Sequence, residues 1–183
     1  KGDTTMTEEI IIAGFGGQGV LSMGKIIAFS GLMQGLEVSW MPSYGPEIRG
    51  GTANVTVILS DSRISSPILQ EFDTAIILNK QSMDKFEPMV KPGGVLIYTP
   101  STITRKPERT DITVYPIKAI EEAAKINATK VANMFLLGAF MKINPILKLG
   151  YVMEGIKRSV SERNWKYLPL NEKALKAGME LVK

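Results

Sequence analysis

Hydrophobic and polar positions change period along this chain, and the changes outline its elements. Residues 9–13, Glu-Ile-Ile-Ile-Ala, form an apolar run behind one acid and predict a buried first strand. Over 18–34 the period becomes helical. Val20, Met23, Gly24, Ile27 and Gly31 form the inward stripe, with Gly35 as the stop. Residues 38–41 predict a short second strand. Residues 52–60 alternate Ala53, Val55, Val57 and Leu59 against Asn54, Thr56 and Ile58, the pattern of a long strand. A buried strand is expected at 73–79, a short helix at 81–87 stopped by Pro88, and a strand at 94–99 after Lys91-Pro92-Gly93-Gly94. Residues 102–111 are polar, contain Pro107 and read as the least ordered stretch; a last short strand follows at 112–115.

After Pro116 the pattern is helical: 117–126, 129–143, 145–162 and 171–182, with Pro145 in a first helical turn and Asn144 as its cap. The alternation of strand and helix predicts an α/β fold, a Rossmann-like three-layer domain with a largely parallel sheet, right-handed crossovers and extra C-terminal helices. Residues 1–183 read as one domain without internal repeats. Residues 1–7 are expected to be disordered, and 163–183 to form a C-terminal tail helix.

Composition narrows the chemistry by what is missing. The chain has no cysteine and no histidine. It therefore offers no disulfide, no thiolate ligands for zinc or an iron–sulfur cluster, and no imidazole base for a Ser-His-Asp or Cys-His site. Redox chemistry served by this chain must run through a bound cofactor or another polypeptide. The net charge of +4 is unevenly placed: residues 1–60 carry three Lys/Arg against five Asp/Glu, and residues 142–183 nine against four. A basic C-terminal face suits an acidic partner or is a solvated helical surface. No basic-aromatic cluster of the kind nucleic acids need is present, so no nucleic-acid partner is expected. The longest apolar run, 131–141, is broken by Asn133 and falls short of the ~20 residues of a membrane span. No signal peptide is visible, and a cytoplasmic location is expected.

Two segments carry the candidate chemistry. Gly14, Gly16 and Gly19, with Gly17 and Gln18 between them, stand in G-x-G-x-x-G register between the first strand and the first helix. Such a turn suits close approach of an anion, or of another chain, to a helix N-terminus. A nicotinamide enzyme would add an acid at the tip of the second strand. Glu37 precedes that strand, and the tip is Pro42-Ser43-Tyr44. The second segment, 42–52, sets Ser43, Tyr44, Gly45, Glu47, Arg49, Gly50 and Gly51 close together. Arg49 is suited to gripping a carboxylate or phosphate, or to pairing with Glu47 within its own loop. Tyr44 could stack on a ligand or anchor the loop by local packing. No catalytic residue and no metal ligand set is assigned.

Read together, I-I-I-A-G-F-G-G-Q-G-V-L-S-M-G at 10–24 and P-S-Y-G-P-E-I-R-G-G-T-A-N at 42–54 resemble the gamma subunit of 2-oxoacid:ferredoxin oxidoreductases. Asn133-Met134 with Leu137-Gly138-Ala139 resembles that family's later helix. Gly-Gly-Thr-Ala-Asn after the arginine is most like the 2-oxoglutarate type. The resemblance implies an assembly that decarboxylates a 2-oxoacid and forms an acyl-CoA. Thiamine diphosphate, Mg and iron–sulfur clusters would be carried by alpha, beta and delta partners, with ferredoxin as acceptor and coenzyme A as cosubstrate. This chain would bind no cofactor alone and be inactive by itself. The loops at Gly14–Gly19 and Ser43–Gly51 would form the interface and the coenzyme A edge. Indolepyruvate, pyruvate and branched-chain members remain sibling readings. The rivals from other classes are a free-standing NAD(P)-dependent dehydrogenase and a scaffold domain.

Overall fold

The computed structural model describes residues 5–45 and 51–183. Six strands form one sheet: β1 (Thr7–Phe15), β2 (Glu37–Tyr44), β3 (Thr52–Ser60), β4 (Phe72–Ile77), β5 (Val90–Tyr98) and β6 (Thr113–Pro116), in the order β2-β3-β1-β4-β5-β6. β1, β4, β5 and β6 run parallel, while β3 lies antiparallel between β1 and β2. Thr7 already pairs with Ser60, and the Met6 N–H donates to the Asp61 carboxylate at 3.0 Å. The disorder expected over 1–7 therefore does not reach Met6 and Thr7.

Alternation along β1 divides the core in two. Ile10 and Ile12 face the larger cluster, covered by α1 (Val20–Met33), α4 (Ala132–Ile143), α5 (Leu149–Ser159) and α6 (Leu168–Glu180). Ile11 and Ala13 face a smaller cluster, with Phe72, Met83 and Phe86 beneath α2 (Lys80–Phe86). α3 (Ala119–Lys125) leads from β6 toward α4. The predicted stripe of α1 is buried as expected. The helix ends in paired bonds, the Gly35 N–H to the Leu32 carbonyl and the Leu36 N–H to the Gly31 carbonyl, with Gly35 left-handed at φ 85°.

Three local readings are corrected. Residues 144–148 do not start a helix: Asn144 caps the end of α4, Pro145 lies in the connection, and α5 begins at Leu149. Gln34 holds that connection, its amide donating to the Ile146 carbonyl at 2.7 Å and accepting the Lys148 N–H at 3.0 Å, so Ile146 and Leu147 stay buried. The 102–111 stretch is ordered around Glu87, a buried carboxylate. It accepts the N–H groups of Glu108 and Arg109 at 2.5 and 3.0 Å and pairs with the Arg105 guanidinium at 2.7 Å. Burial opposes the Glu87 charge, but the Arg109 N–H, the Arg105 guanidinium and the Glu108 N–H hold its carboxyl below the ordinary value. The second strand also runs further than expected, through Pro42, Ser43 and Tyr44, which pair with Val55, Asn54 and Ala53.

The C-terminal helix is integral to the core. Ala174 and Leu175 are fully buried, and α6 crosses α4 at two glycines. A Cβ on Gly138 would lie 2.1 Å from the Leu175 carbonyl oxygen, and one on Gly178 would lie 2.2 Å from that of Phe135.

Candidate functional site

The carboxyl end of β1 delivers the glycine turn. Its shape is fixed from inside by Gln18, whose side-chain oxygen accepts the Phe15 N–H at 2.7 Å while its amide donates to the Leu78 carbonyl at 3.2 Å. The Thr102 hydroxyl donates to that same carbonyl at 2.7 Å. Gln18 thus ties the turn to the end of β4. Gly14 leaves room for this clamp, since a Cβ there would meet the Gln18 oxygen at 2.5 Å and Leu78 Cβ at 2.9 Å. Gly17 and Gly19 take φ of 90° and 78°, the left-handed region that favours glycine.

The second segment meets the first directly. The Gly16 N–H donates to the Gly51 carbonyl at 2.9 Å, and the Gly45 N–H to the Thr52 carbonyl at 2.7 Å, so the adjoining ends of β2 and β3 lie beside the glycine turn. A cleft of about 420 Å³ opens between them, with Gly16, Gly17, Val20, Leu21, Tyr44 and Gly51 among its walls. Gly19 is the cap of α1 and offers no side chain, and the first bond within the helix is the Met23 N–H to the Gly19 carbonyl. The N–H groups of Val20, Leu21 and Ser22 therefore have no partner within the helix, and no acid sits in its first turn. That end suits an anion. Ser43 and Tyr44 are exposed at the end of β2. Glu47, Arg49 and Gly50 lie outside the described residues.

A second cleft, about 380 Å³, opens on the other side of the same turn, with Gln18, Ser22, Thr99, Lys130 and Asn133 in its walls. Asn133 is the residue that reading the sequence for sites passed over. Its side chain packs so closely on Gly19 that a Cβ there would lie 2.5 Å from Nδ2. The available signal was its place as the polar break in the apolar run of 131–141.

Sheet topology explains the missing ribose acid. In a dinucleotide-binding half the strand beside β1 is the parallel second strand, whose tip reaches the ribose. Here β3 intervenes, so β2 stands two strand spacings, about 10 Å, from β1. Glu37 lies at the far end of β2, paired with Ser60, and the near end carries Ser43 and Tyr44. Among the described residues no group of three or more Asp, Glu, His or Cys could hold a metal, and no helix is long and apolar enough to cross a membrane.

Residues 9–181 match the family described as pyruvate ferredoxin/flavodoxin oxidoreductase. The chain is 36% identical over 170 residues to the ketoisovalerate oxidoreductase subunit VorA of Methanothermobacter thermautotrophicus, a match covering 92% of this chain and 35% of that protein. It is 33% identical over 184 residues to the 2-oxoglutarate synthase subunit KorC of Methanothermobacter marburgensis, covering 97% of each. The chain thus spans about a third of the length of one relative and nearly all of the other. Among solved structures, the gamma subunit of a keto/oxoacid ferredoxin oxidoreductase from Geobacter sulfurreducens superposes with a TM-score of 0.82 at 27% identity, covering 96% of this chain and 95% of that one. The 2-oxoglutarate:ferredoxin oxidoreductase of Magnetococcus marinus, solved with 2-oxoglutarate, coenzyme A and succinyl-CoA bound, gives 0.86 at 25% identity, covering 96% of this chain and 31% of that one.

Proposed function

The chain belongs to the pyruvate ferredoxin/flavodoxin oxidoreductase family, and on that premise we propose that it is the gamma subunit of a multi-subunit 2-oxoacid:ferredoxin oxidoreductase acting in the cytoplasm. The assembly converts a 2-oxoacid and coenzyme A to an acyl-CoA, with ferredoxin taking the electrons. The iron–sulfur clusters belong to a partner chain in this reading, because this chain has no cysteine or histidine to ligate one, and thiamine diphosphate and Mg are assigned with them to the alpha, beta and delta partners. The gamma subunit completes the assembly and contributes one edge to coenzyme A.

The observation that carries the site is the Gly16–Gly51 hydrogen bond, which brings both glycine segments to one edge. Within the described residues, the N–H groups of Val20, Leu21 and Ser22 would receive a phosphate of coenzyme A. Tyr44 would flank the ligand at the rim of the cleft. Ser43, Gly45, Glu47, Arg49 and Gly50 complete the proposed edge, with Arg49 as its fixed cation. No step of bond making falls to this chain: its residues bind and orient.

We assign 2-oxoglutarate as the oxoacid, supported by the end-to-end match to KorC and by Gly-Gly-Thr-Ala-Asn at 50–54. A branched-chain 2-oxoacid is the second reading, favoured by the 36% identity to VorA. Co-expression with alpha, beta and delta partner chains tests both. The complex should be brown and reduce a viologen dye with a higher kcat/KM for 2-oxoglutarate than for ketoisovalerate. Turnover by the isolated chain would sink the subunit reading, and the reverse preference would replace the substrate.

A further inference from the structure

β2 is an edge strand, and its sequence from Val38 to Gly45 contains no charge. Tyr44 is 70% exposed, Trp40 40% and Met41 42%, and Leu32 at the end of α1 is 55% exposed. Tyr44 shares the cleft wall with Leu21 at the start of α1, and Val38 lies against Gly31 near its end. Side chains alternate along a strand, so Val38, Trp40, Pro42 and Tyr44 share the α1 side of the sheet. They form an apolar stripe with two aromatic anchors beside α1. Aromatic residues and methionine are the types enriched at the centres of protein interfaces.

The backbone says how this edge is used. The Gly45 N–H points inward to Thr52, so in this antiparallel register the odd residues of β2 bond to β3 and the even ones face outward. Pro42 therefore occupies an outward position and has no N–H to give. A strand added by a second copy or by a peptide would meet a missing donor mid-edge. What docks here does so through side chains.

We propose that the α1–β2 edge, anchored by Trp40 and Tyr44, is the surface on which a partner chain of the oxidoreductase docks, through an apolar face rather than an added strand. The inference rests on the gamma-subunit reading above. The occupant is a different protein surface and not a second copy. The same domain makes up 97% of KorC but only 35% of VorA, so in VorA most of the polypeptide lies beyond it. The absence of charge on the stripe calls for an apolar counterpart.

Hydroxyl-radical footprinting of the full chain, alone and in the co-expressed complex, tests this, because Trp, Met and Tyr report their own exposure. Trp40 and Tyr44 should oxidise readily in the isolated chain and be protected at least severalfold in the complex. Trp165 and Tyr167, exposed on the C-terminal side, should keep their reactivity. Trp40→Ala should leave the melting temperature of the isolated chain nearly unchanged and weaken assembly by about tenfold or more, while Trp165→Ala should leave assembly intact. A complex that forms with Trp40 and Tyr44 as reactive as in the free chain overturns the inference and leaves the subunit reading standing. Protection in the isolated chain that grows with its concentration assigns the edge to a second copy and overturns it likewise. If the wild-type chain enters no complex at all, the subunit reading fails first and the inference with it.

Discussion

The crossing of α4 and α6 makes a prediction whose size can be worked from the structure. A methyl group on Gly138 would sit 2.1 Å from the Leu175 carbonyl oxygen and 3.1 Å from its Cα; one on Gly178 would sit 2.2 Å from the Phe135 oxygen and 2.7 Å from its Cα. Both obstacles are backbone, so no rotamer change relieves them. Carbon and oxygen approach comfortably at about 3.3 Å, so the helices must part by about 1 Å. Such overpacking costs about 1–3 kcal/mol and sometimes more, against which alanine returns up to about 1 kcal/mol of helix propensity. Gly138→Ala and Gly178→Ala should each lose about 2 kcal/mol, a fall in Tm of roughly 4–8 °C for a chain of this length. Gly150, exposed in the first turn of α5 with nothing within 4 Å of an added methyl, is the control: Gly150→Ala should be neutral or stabilising.

The double variant Gly138→Ala/Gly178→Ala sharpens the argument. Once one alanine has parted the helices, the second enters a wider gap, so the two losses should sum to less than their separate values. Urea unfolding of the four proteins closes the cycle. If either single variant behaves like Gly150→Ala, or if the double loss is strictly additive, α4 and α6 do not touch at these glycines.

Glu87→Gln should destabilise the fold by about 3 kcal/mol at pH 7 by breaking the buried pair with Arg105. The wild-type carboxyl titrates below its ordinary 4.5, so its stabilisation is present above pH 4.5 and lost as pH falls through the lower folded value; acid titrations of the two proteins should converge below pH 4.5, and parallel curves would refute the role. Gly16→Ala, whose methyl finds only the Gly51 oxygen at 3.7 Å, should fold normally but raise the KM for coenzyme A in the assembled enzyme, whereas Gly14→Ala should unsettle the turn itself; an unchanged KM would remove the first cleft from the ligand path. Calorimetric titration of the isolated chain with NAD or NADP should show no micromolar binding, and binding lost in Gly16→Val would revive the dehydrogenase. Arg49→Ala should leave the isolated chain's Tm nearly unchanged while weakening assembly or raising the KM for coenzyme A; an unfolded variant with normal activity per folded complex would make Arg49 a pin for its own loop.

What the sequence made legible was local. The alternation of 52–60 marks β3 at both ends, and the stripe from Val20 to Gly31 marks α1, because each buries against a large neighbour on its own terms. What it hid depends on residues far away in the chain. The connection at 144–148 is a turn rather than a helix start, and Gln34, more than a hundred residues earlier, holds its backbone. The polar stretch 102–111 is ordered because Glu87 is buried beneath it. At the site, the glycine spacing announced the turn but gave no sign that Gln18 braces it from inside. Nor could spacing show that Asn133 closes on Gly19 from the side of α4. Those are contacts between segments, and they have no periodicity to read.

The antiparallel β3 is the feature that turns a familiar glycine motif to another use. Inserted between β1 and β2, it carries the second strand's tip about 10 Å away from the glycine turn, where a carboxylate could no longer reach a ribose bound there. The same insertion brings the start of β3 alongside the turn, so that Gly51 receives the Gly16 N–H. The helix N-terminus thus keeps unpartnered N–H groups of the kind that suit an anion, but has no acid on a neighbouring strand tip of the kind that holds a nicotinamide ribose. On this topology the G-x-G-x-x-G turn faces the start of β3 at Gly51 in place of the tip of a neighbouring parallel strand, and the edge we propose for coenzyme A is built on that contact.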